Sequence, residues 1–170
     1  MLFRSGLGDL AAPGRTLFLP YLGGERTPHN DATIRGQFLH LGHATDRDAM
    51  TRAVLEGVTF ALRDCYDALA ATGTRIDHLI AVGGGSRSDY WLRAVATALD
   101  LPVARPVAGD FGAAFGAARL GLMAAEGAGA EVATPPAIAT VLEPVAALTD
   151  DFAAAQARYR AAYGALRDLR

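Results

Sequence analysis

Apolar positions recur along the chain with two different periods, which predict short strands and longer helices. Residues 16–22, "TLFLPYL", predict a short buried strand, and residues 37–43 are strand-like without a clean alternation. Between them, residues 23–36 form a polar loop rich in turn-forming residues. The clearest helix starts at Thr45 or Asp46 and ends before Gly73, where a left-handed cap fits.

This first helix carries an apolar stripe at helical spacing. We expect the stripe to face the core, because one apolar face is what a helix on a globular domain buries. A row of small residues also predicts that another backbone comes close to the helix. The stripe comprises Val54, Val58, Ala61, Leu62, Cys65 and Leu69, and the small-residue row comprises Ala53, Gly57 and Ala61.

The middle of the chain predicts a second set of strands and helices. Residues 76–82 are almost continuously apolar, which predicts a strand buried on both faces of a parallel sheet. A helix follows over residues 88–99, then a short strand over 101–107 and a helix of small residues over 109–125. The order β-β-α-β-α-β-α predicts an α/β fold with parallel neighbours.

The same pattern divides the chain into four parts. Residues 1–16 resemble a linker, and 17–125 form the lobe that holds the alternating elements. Residues 126–148 are loop-rich with one extended piece. Residues 149–170 predict a terminal helix whose apolar positions are Phe152, Ala155, Tyr159, Ala162 and Leu166.

Composition narrows the classes of function. The 170 residues, about half of them apolar, suit one domain or one lobe of a larger protein. A net charge of −2 with scattered arginines predicts no affinity for nucleic acid or an anionic membrane. No apolar run is long enough to span a bilayer. Cys65 is the only cysteine, so we expect no internal disulfide and a reducing cytoplasm.

All basic residues are arginines, since the sequence contains no lysine. A P-loop needs a lysine beside its glycines, so that class of nucleotide site is excluded, as is Schiff-base chemistry.

The most informative motif is "AVGGGSRSDYW" at residues 81–91. Gly83, Gly84 and Gly85 follow a predicted strand and open a predicted helix. This is where α/β sheets bind ligands and where helix N–H groups donate hydrogen bonds to phosphate. Ser86 and Ser88 could cap the helix or donate to a phosphate or a base. The dinucleotide fingerprint fails at position 88. The alternative is a tight turn whose glycines serve packing alone.

Four segments in this order strongly resemble the C-terminal half of the FGGY carbohydrate kinases. They are "FLPYLGGERTPHND" (18–31), "RAVLEGVTFALRD" (52–64), "GGGSRSDYW" (83–91) and "GAAFGAARLG" (112–121). Two of them, "GERTPHN" and "GGGxRSxYW", look most like the xylulokinases within that family. The chain departs from the family pattern at His40, near which the family usually has a glycine. A larger departure is length, since full members of the family are about three times as long.

The resemblance implies a ribonuclease-H-like lobe of an actin-like ATPase fold, here without its first strands. It also implies ATP and Mg²⁺ as cofactors, with transfer of phosphate to D-xylulose bound mainly by the N-terminal lobe. Ribulose, glycerol or gluconate remain alternative substrates within the family. Gly84 and Gly85 would approach the phosphates and Ser88 would face the adenine.

We expect no catalytic residue in this chain, because the family's aspartate and its threonine/serine phosphate loop belong upstream. Asp9 is interpreted as a linker residue. The chain alone is therefore expected to be inactive. The competing interpretations are a non-catalytic assembly or nucleotide-binding module of the same ancestry, and an unrelated α/β nucleotide binder.

Several single residues have two interpretations. Arg26 could reach the cleft between lobes and pair with phosphate, or could form a salt bridge within its own loop. Glu56 with Arg52 is interpreted as a solvated surface pair. His40 and His43 do not predict a metal site. Trp91 is expected to be a core anchor rather than a platform for adenine.

Two further expectations concern packing. The small residues of the 109–125 helix predict tight helix–sheet packing beside the nucleotide. A ribonuclease-H-like lobe normally has three antiparallel strands before its first helix. If this chain supplies only the last of them, around residues 37–43, that edge of the sheet is left exposed. We therefore expect a homo-oligomer, with a dimer across that edge as one form.

Overall fold

A computed structural model describes residues 7–107 and 112–167. The described residues form four α-helices and five short strands. They follow the predicted order, and the fifth strand lies in the loop-rich segment, where one extended piece was predicted. Within the described ranges, no helix has the length and apolarity needed to cross a bilayer. The first residues of the predicted 109–125 helix and the ends of the linker and terminal helix lie outside the described residues. The elements are β1 (Leu17–Leu19), β2 (Gln37–Leu39), α1 (Arg47–Ala71), β3 (Leu79–Ile80), α2 (Asp89–Leu99), β4 (Val103–Pro106), α3 (Gly112–Glu126), β5 (Ile138–Leu142) and α4 (Thr149–Arg167).

The first sheet is an antiparallel pair that packs on α1. β1 and β2 pair with Phe18 opposite Phe38. Asp46 caps α1 by accepting a hydrogen bond from the Ala49 N–H at 2.8 Å. Gly57 lies so close to β1 that a Cβ there would overlap the carbonyl oxygen of Phe18. The predicted close approach of a backbone is thus confirmed at Gly57.

The buried face of α1 differs from the predicted one. Leu62 and Leu69 of the predicted stripe are 41% and 48% exposed. The close contact of Gly57 with β1 turns a different face of α1 inward. Four residues of the stripe instead line a groove of about 380 Å³ beside the 20–27 loop, namely Val58, Ala61, Leu62 and Cys65. The buried positions are Ala53, Leu55, Glu56, Gly57, Thr59, Phe60 and Asp64.

The second sheet has the order β3-β4-β5. β3 and β4 are parallel, as predicted, and β5 adds to β4 in the antiparallel direction. The prediction of a strand buried on both faces is wrong for β3. It lies at the sheet edge, where Ile80 is 44% exposed and the following Val82 is 55% exposed.

Helix α2 is the centre of the core. It starts at the predicted capping residue, Ser88, and ends at Asp100, which adopts a left-handed conformation. Leu92, Val95 and Leu99 are buried as predicted, and α2 packs on α1, α4, β4 and β5.

Helix α3 is not packed as the sequence predicts. It has no buried residue, and Phe115 and Leu120 are more than half exposed. Only at Gly112 would a Cβ press on a neighbour, the Val82 side chain at 2.8 Å. Gly116 and Gly121 face open space, so their small size serves no contact among the described residues.

Helix α4 closes the core and holds the 23–36 loop. The Tyr159 hydroxyl lies 2.8 Å from the Tyr21 hydroxyl, and both side chains are buried. One turn later, Tyr163 donates to Asp31 Oδ2 at 3.1 Å and stacks on the His29 ring at 3.7 Å between centroids. The loop is therefore fixed to the end of the chain by aromatic contacts.

Candidate functional site

The three glycines lie where the sequence predicts, between β3 and α2. Gly84 to Arg87 form one 3-10 turn, and α2 begins two residues later. Because β3 and β4 run parallel, the turn leaves from the carboxyl end of the sheet. The site is open, because Gly84 is exposed and Gly83 and Gly85 are partly exposed.

Gly83 is required by its backbone conformation. Its φ is +85° and its ψ 180°, a combination that side chains with a Cβ avoid. Its carbonyl accepts hydrogen bonds from Ser86 Oγ at 2.7 Å and from the Ser86 N–H at 3.1 Å. Ser86, which is 4% exposed, therefore shapes the turn from the inside.

Gly85 is required by packing. A Cβ at Gly85 would overlap the indole ring of Trp91, with Cε3 at 3.0 Å. Trp91 Nε1 in turn donates to Thr59 Oγ1 of α1 at 3.1 Å. Trp91 is partly buried against the core, in agreement with the expected anchoring role.

Gly84 is required by nothing in the chain itself. Its φ is ordinary and a Cβ there would meet no atom within 4 Å. The N–H groups of Gly84 and Gly85 open the 3-10 turn, so they have no carbonyl within it to donate to. Gly84 thus presents an exposed, bare backbone at the start of the turn.

Ser88 and Arg105 hold the other end of the turn. Ser88, which is 5% exposed, accepts from the Trp91 N–H at 3.2 Å and caps α2, while its own N–H donates to the Gly85 carbonyl. Arg105 of β4 donates to the Ser86 carbonyl at 3.4 Å and pairs with Asp89. A contact of Ser86 or Ser88 with a nucleotide stays a prediction, since both hydroxyls bond within the turn.

Arg26 lies in a different part of the surface. Its exposed side chain lines the groove between the 20–27 loop and α1, together with Val58 and Leu62. None of the three glycines at 83–85 lines that groove. Glu25, its partner in the salt-bridge interpretation, instead accepts from the His29 N–H at 2.8 Å.

Glu56 was wrongly interpreted from the sequence as a solvated surface residue. It is 2% exposed, and Oε2 accepts from the Gly14 N–H at 3.3 Å. Burial raises the pKa of Glu56 from 4.5 to about 7, against the opposing effects of Gly14, Arg52 and Arg158. The arginine four residues earlier suggested a surface pair, and periodicity alone gave no sign that α1 turns this face inward.

Tyr90, in the first turn of α2, lies near Glu56 of α1. Burial, with a smaller contribution from the Glu56 charge, raises the pKa of Tyr90 to about 12. The Tyr90 hydroxyl and Glu56 Oε1 are buried and have no hydrogen-bond partner among the described residues. Nothing in the sequence pattern indicated that Arg105 or Thr59 would lie at or near the glycine turn, or that Glu56 would be buried beside Tyr90.

Comparison with known proteins identifies related chains. A family model described as the FGGY family of carbohydrate kinases, C-terminal domain, matches residues 5–125. The xylulose kinase of Escherichia coli (strain K12) is 44% identical over 108 residues, which cover 64% of this chain and 22% of that protein. The chain therefore spans about a fifth of the length of this relative.

Solved structures agree with the sequence match. A crystal structure described as a xyloylose kinase from Brucella ovis matches with a TM-score of 0.86 and 59% identity, covering 96% of this chain and 35% of that one. A ligand-bound xylulose kinase from Lactobacillus acidophilus matches with a TM-score of 0.73 and 28% identity, covering 93% of this chain and 33% of that one. The expected fold, a C-terminal lobe of the actin-like ATPase type, is confirmed.

Proposed function

Since this chain belongs to the FGGY family of carbohydrate kinases, as part of their C-terminal domain, we propose that it supplies the ATP-binding part of a xylulokinase-like sugar kinase. The longer kinase would transfer phosphate from ATP to D-xylulose, giving ADP and D-xylulose 5-phosphate. The relatives named xylulose kinases favour this sugar over ribulose, glycerol or gluconate. The lone thiol of Cys65 suits a reducing cytoplasm.

The observation that carries the proposal is Gly84. Gly83 is explained by its φ and Gly85 by Trp91, but Gly84 has neither a special conformation nor a neighbour. Gly42 shares both features, but Gly84 lies in the turn at the carboxyl end of β3, where a glycine would let an external group press on the backbone. The N–H groups of Gly84 and Gly85 open the 3-10 turn that leads into α2, and N–H groups at such a start suit a phosphate.

Arg105 supports the turn rather than the ligand directly. Its guanidinium donates to the Ser86 carbonyl and is paired with Asp89, so its charge is balanced beside the turn. Within residues 7–107 and 112–167, no three carboxylate, histidine or cysteine side chains form a metal-ligand set. We therefore propose that Mg²⁺ is held by the phosphates of ATP.

We propose that the chain alone binds nucleotide without phosphorylating a sugar. Phosphoryl transfer depends on positioning the sugar hydroxyl, the phosphates and a base together. The resemblance assigns the sugar site and the catalytic aspartate to other parts of the longer kinase. A coupled assay with ATP and D-xylulose tests this, and measurable turnover by the pure chain would contradict it.

Nucleotide binding is tested by calorimetric titration of the 170-residue chain with Mg-ATP. Gly84→Val places two methyl groups where the phosphate would lie and is expected to raise the Kd at least tenfold. Gly42→Val is the matched control, because Gly42 also faces open space with an ordinary φ and lies on another surface. Equal binding by the two variants would overturn the proposed site.

The alternative is a non-catalytic assembly module derived from the same family. It is favoured if the wild-type chain binds no adenine nucleotide. The exposed apolar groove beside Arg26 is then the surface to examine, with Arg26→Ala compared with Arg35→Ala, another exposed arginine of the same loop.

A further inference from the structure

Trp91 is connected to the glycine turn directly and through Ser88. Its ring lies against Gly85, and its backbone N–H donates to Ser88 Oγ, while the Ser88 N–H donates to the Gly85 carbonyl at 3.1 Å. A movement of the indole therefore moves the backbone of the turn.

The indole is itself fixed from another helix. Trp91 Nε1 donates to Thr59 Oγ1 at 3.1 Å, and that hydroxyl donates to the Leu55 carbonyl at 2.8 Å. Thr59 is fully buried, so water cannot replace the lost acceptor if the hydroxyl is removed. The bond spans 32 residues and joins the middle of α1 to the first turn of α2.

We propose that Thr59 and Trp91 are positioning residues for the nucleotide. Thr59 fixes the indole, and the indole fixes the height and direction of the Gly84 and Gly85 N–H groups above the sheet. Neither side chain needs to touch the ligand. The proposal rests on the proposed function, because the positioned donors are those assigned to the phosphates.

Thr59→Val tests the proposal, because valine keeps the shape of threonine and removes only the hydroxyl. Thr59→Ser keeps the hydroxyl and should restore wild-type behaviour. Thr97→Val is the matched control: Thr97 is also a buried threonine, 1% exposed, but its hydroxyl serves Arg93 and Val145, away from the turn. Trp91 is the only tryptophan of the chain, so its emission reports on this site alone.

In the titration with Mg-ATP, Thr59→Val is expected to raise the Kd roughly tenfold, the equivalent of one buried hydrogen bond. Thr59→Ser and Thr97→Val should stay within about twofold of wild type. The emission of Trp91 should shift on titration in wild type and begin from a different wavelength in Thr59→Val. An equal rise in Kd for Thr59→Val and Thr97→Val would show a general loss of stability and overturn the proposal.

A second measurement separates this inference from the proposed function. Amide hydrogen exchange of residues 83–88, without nucleotide, should be faster in Thr59→Val than in wild type or Thr97→Val. Failure of wild type to bind ATP would reject the proposed function, while unchanged exchange in Thr59→Val would reject the positioning role.

Discussion

Gln156 Nε2 donates to Asp64 Oδ1 at 2.7 Å, which joins two buried polar side chains of α4 and α1 that are 92 residues apart in sequence. Arg160 donates to the same carboxylate oxygen at 2.6 Å. Burying a carboxylate is costly unless hydrogen-bond donors compensate it, so Gln156 and Arg160 together stabilise Asp64 in the core.

Asp64→Ala is expected to lower the free energy of unfolding by about 2–3 kcal/mol, because it leaves the buried Gln156 amide without its charged acceptor. Asp67→Ala is the control, since Asp67 pairs with Arg63 and Arg160 but is 35% exposed. Its loss should cost about 1 kcal/mol or less. Urea denaturation of both variants checks this, and equal costs would contradict it.

Gly57→Ala should destabilise the chain strongly, by about 3 kcal/mol, because the new Cβ would push α1 away from the Phe18 carbonyl. Gly164→Ala, in a helix position with open space, should instead stabilise α4 by up to about 1 kcal/mol. Opposite shifts of the urea midpoint are expected. A neutral Gly57→Ala would mean that the contact between α1 and β1 is looser than described.

Glu56 should make stability depend on pH. Its pKa is about 7 in the folded chain and 4.5 as its ordinary value, so the folded state holds the proton more tightly. Its contribution is therefore fully present below pH 4.5 and is lost as pH rises through 7, by an amount on the order of 3 kcal/mol.

Comparison of wild type with Glu56→Gln isolates this effect. The advantage of wild type over the variant should shrink between pH 5 and pH 8 in urea denaturation, while Glu126→Gln, at an exposed position of α3, should show no such trend. A difference between wild type and Glu56→Gln that does not change with pH would contradict the prediction.

His40→Gly should stabilise the chain. His40 has a φ of +59°, which costs a side chain about 1 kcal/mol and glycine much less. His43→Gly is the control, since His43 is exposed without a positive φ and should lose a few tenths of a kcal/mol from chain entropy. Thermal unfolding should show a higher midpoint for His40→Gly alone.

Self-association across the edge of the initial antiparallel strands remains a prediction. Among the described residues, the outer edge of β3 is a different edge, and we propose it as a second place for pairing. A second copy related by a two-fold axis could pair its own β3 there and cover Ile80 and Val82. Ile80→Lys should then favour the monomer in sedimentation velocity, whereas Leu69→Lys, at a similarly exposed position of α1, should not. A wild-type chain that stays monomeric at high concentration would refute the proposal.

The sequence predicted the order of elements well, because helix caps and turn residues act locally. Ser88 and Gly73 mark helix ends as expected, and the glycine turn stands where the pattern places it. Which face is buried depends on distant segments. The contact of Phe18 with Gly57 turns Glu56 inward and leaves Leu62 outside, and no local pattern contains that information.

The candidate site could be predicted only in part, again because contacts between distant segments leave no local pattern. The three glycines stood out in the sequence. However, Gly85 is required by the packing of Trp91 and Gly83 by its backbone conformation, and neither is visible in the sequence. Thr59 of α1 bonds to Trp91, 32 residues later in the sequence, and Arg105 of β4 bonds to Ser86, 19 residues earlier. Their residue types alone gave no indication of these contacts.

The family match ends at residue 125, yet Phe152, Ala155 and Tyr159 of α4 are the most deeply enclosed side chains of the terminal segment. The packed core thus extends past the part that relatives share most clearly. Cutting the chain at the end of the match would expose Tyr21 and remove the hydrogen bond from Tyr163 to Asp31. The shorter piece would therefore hold the 23–36 loop less firmly, although that loop carries the "GERTPHN" motif of the family.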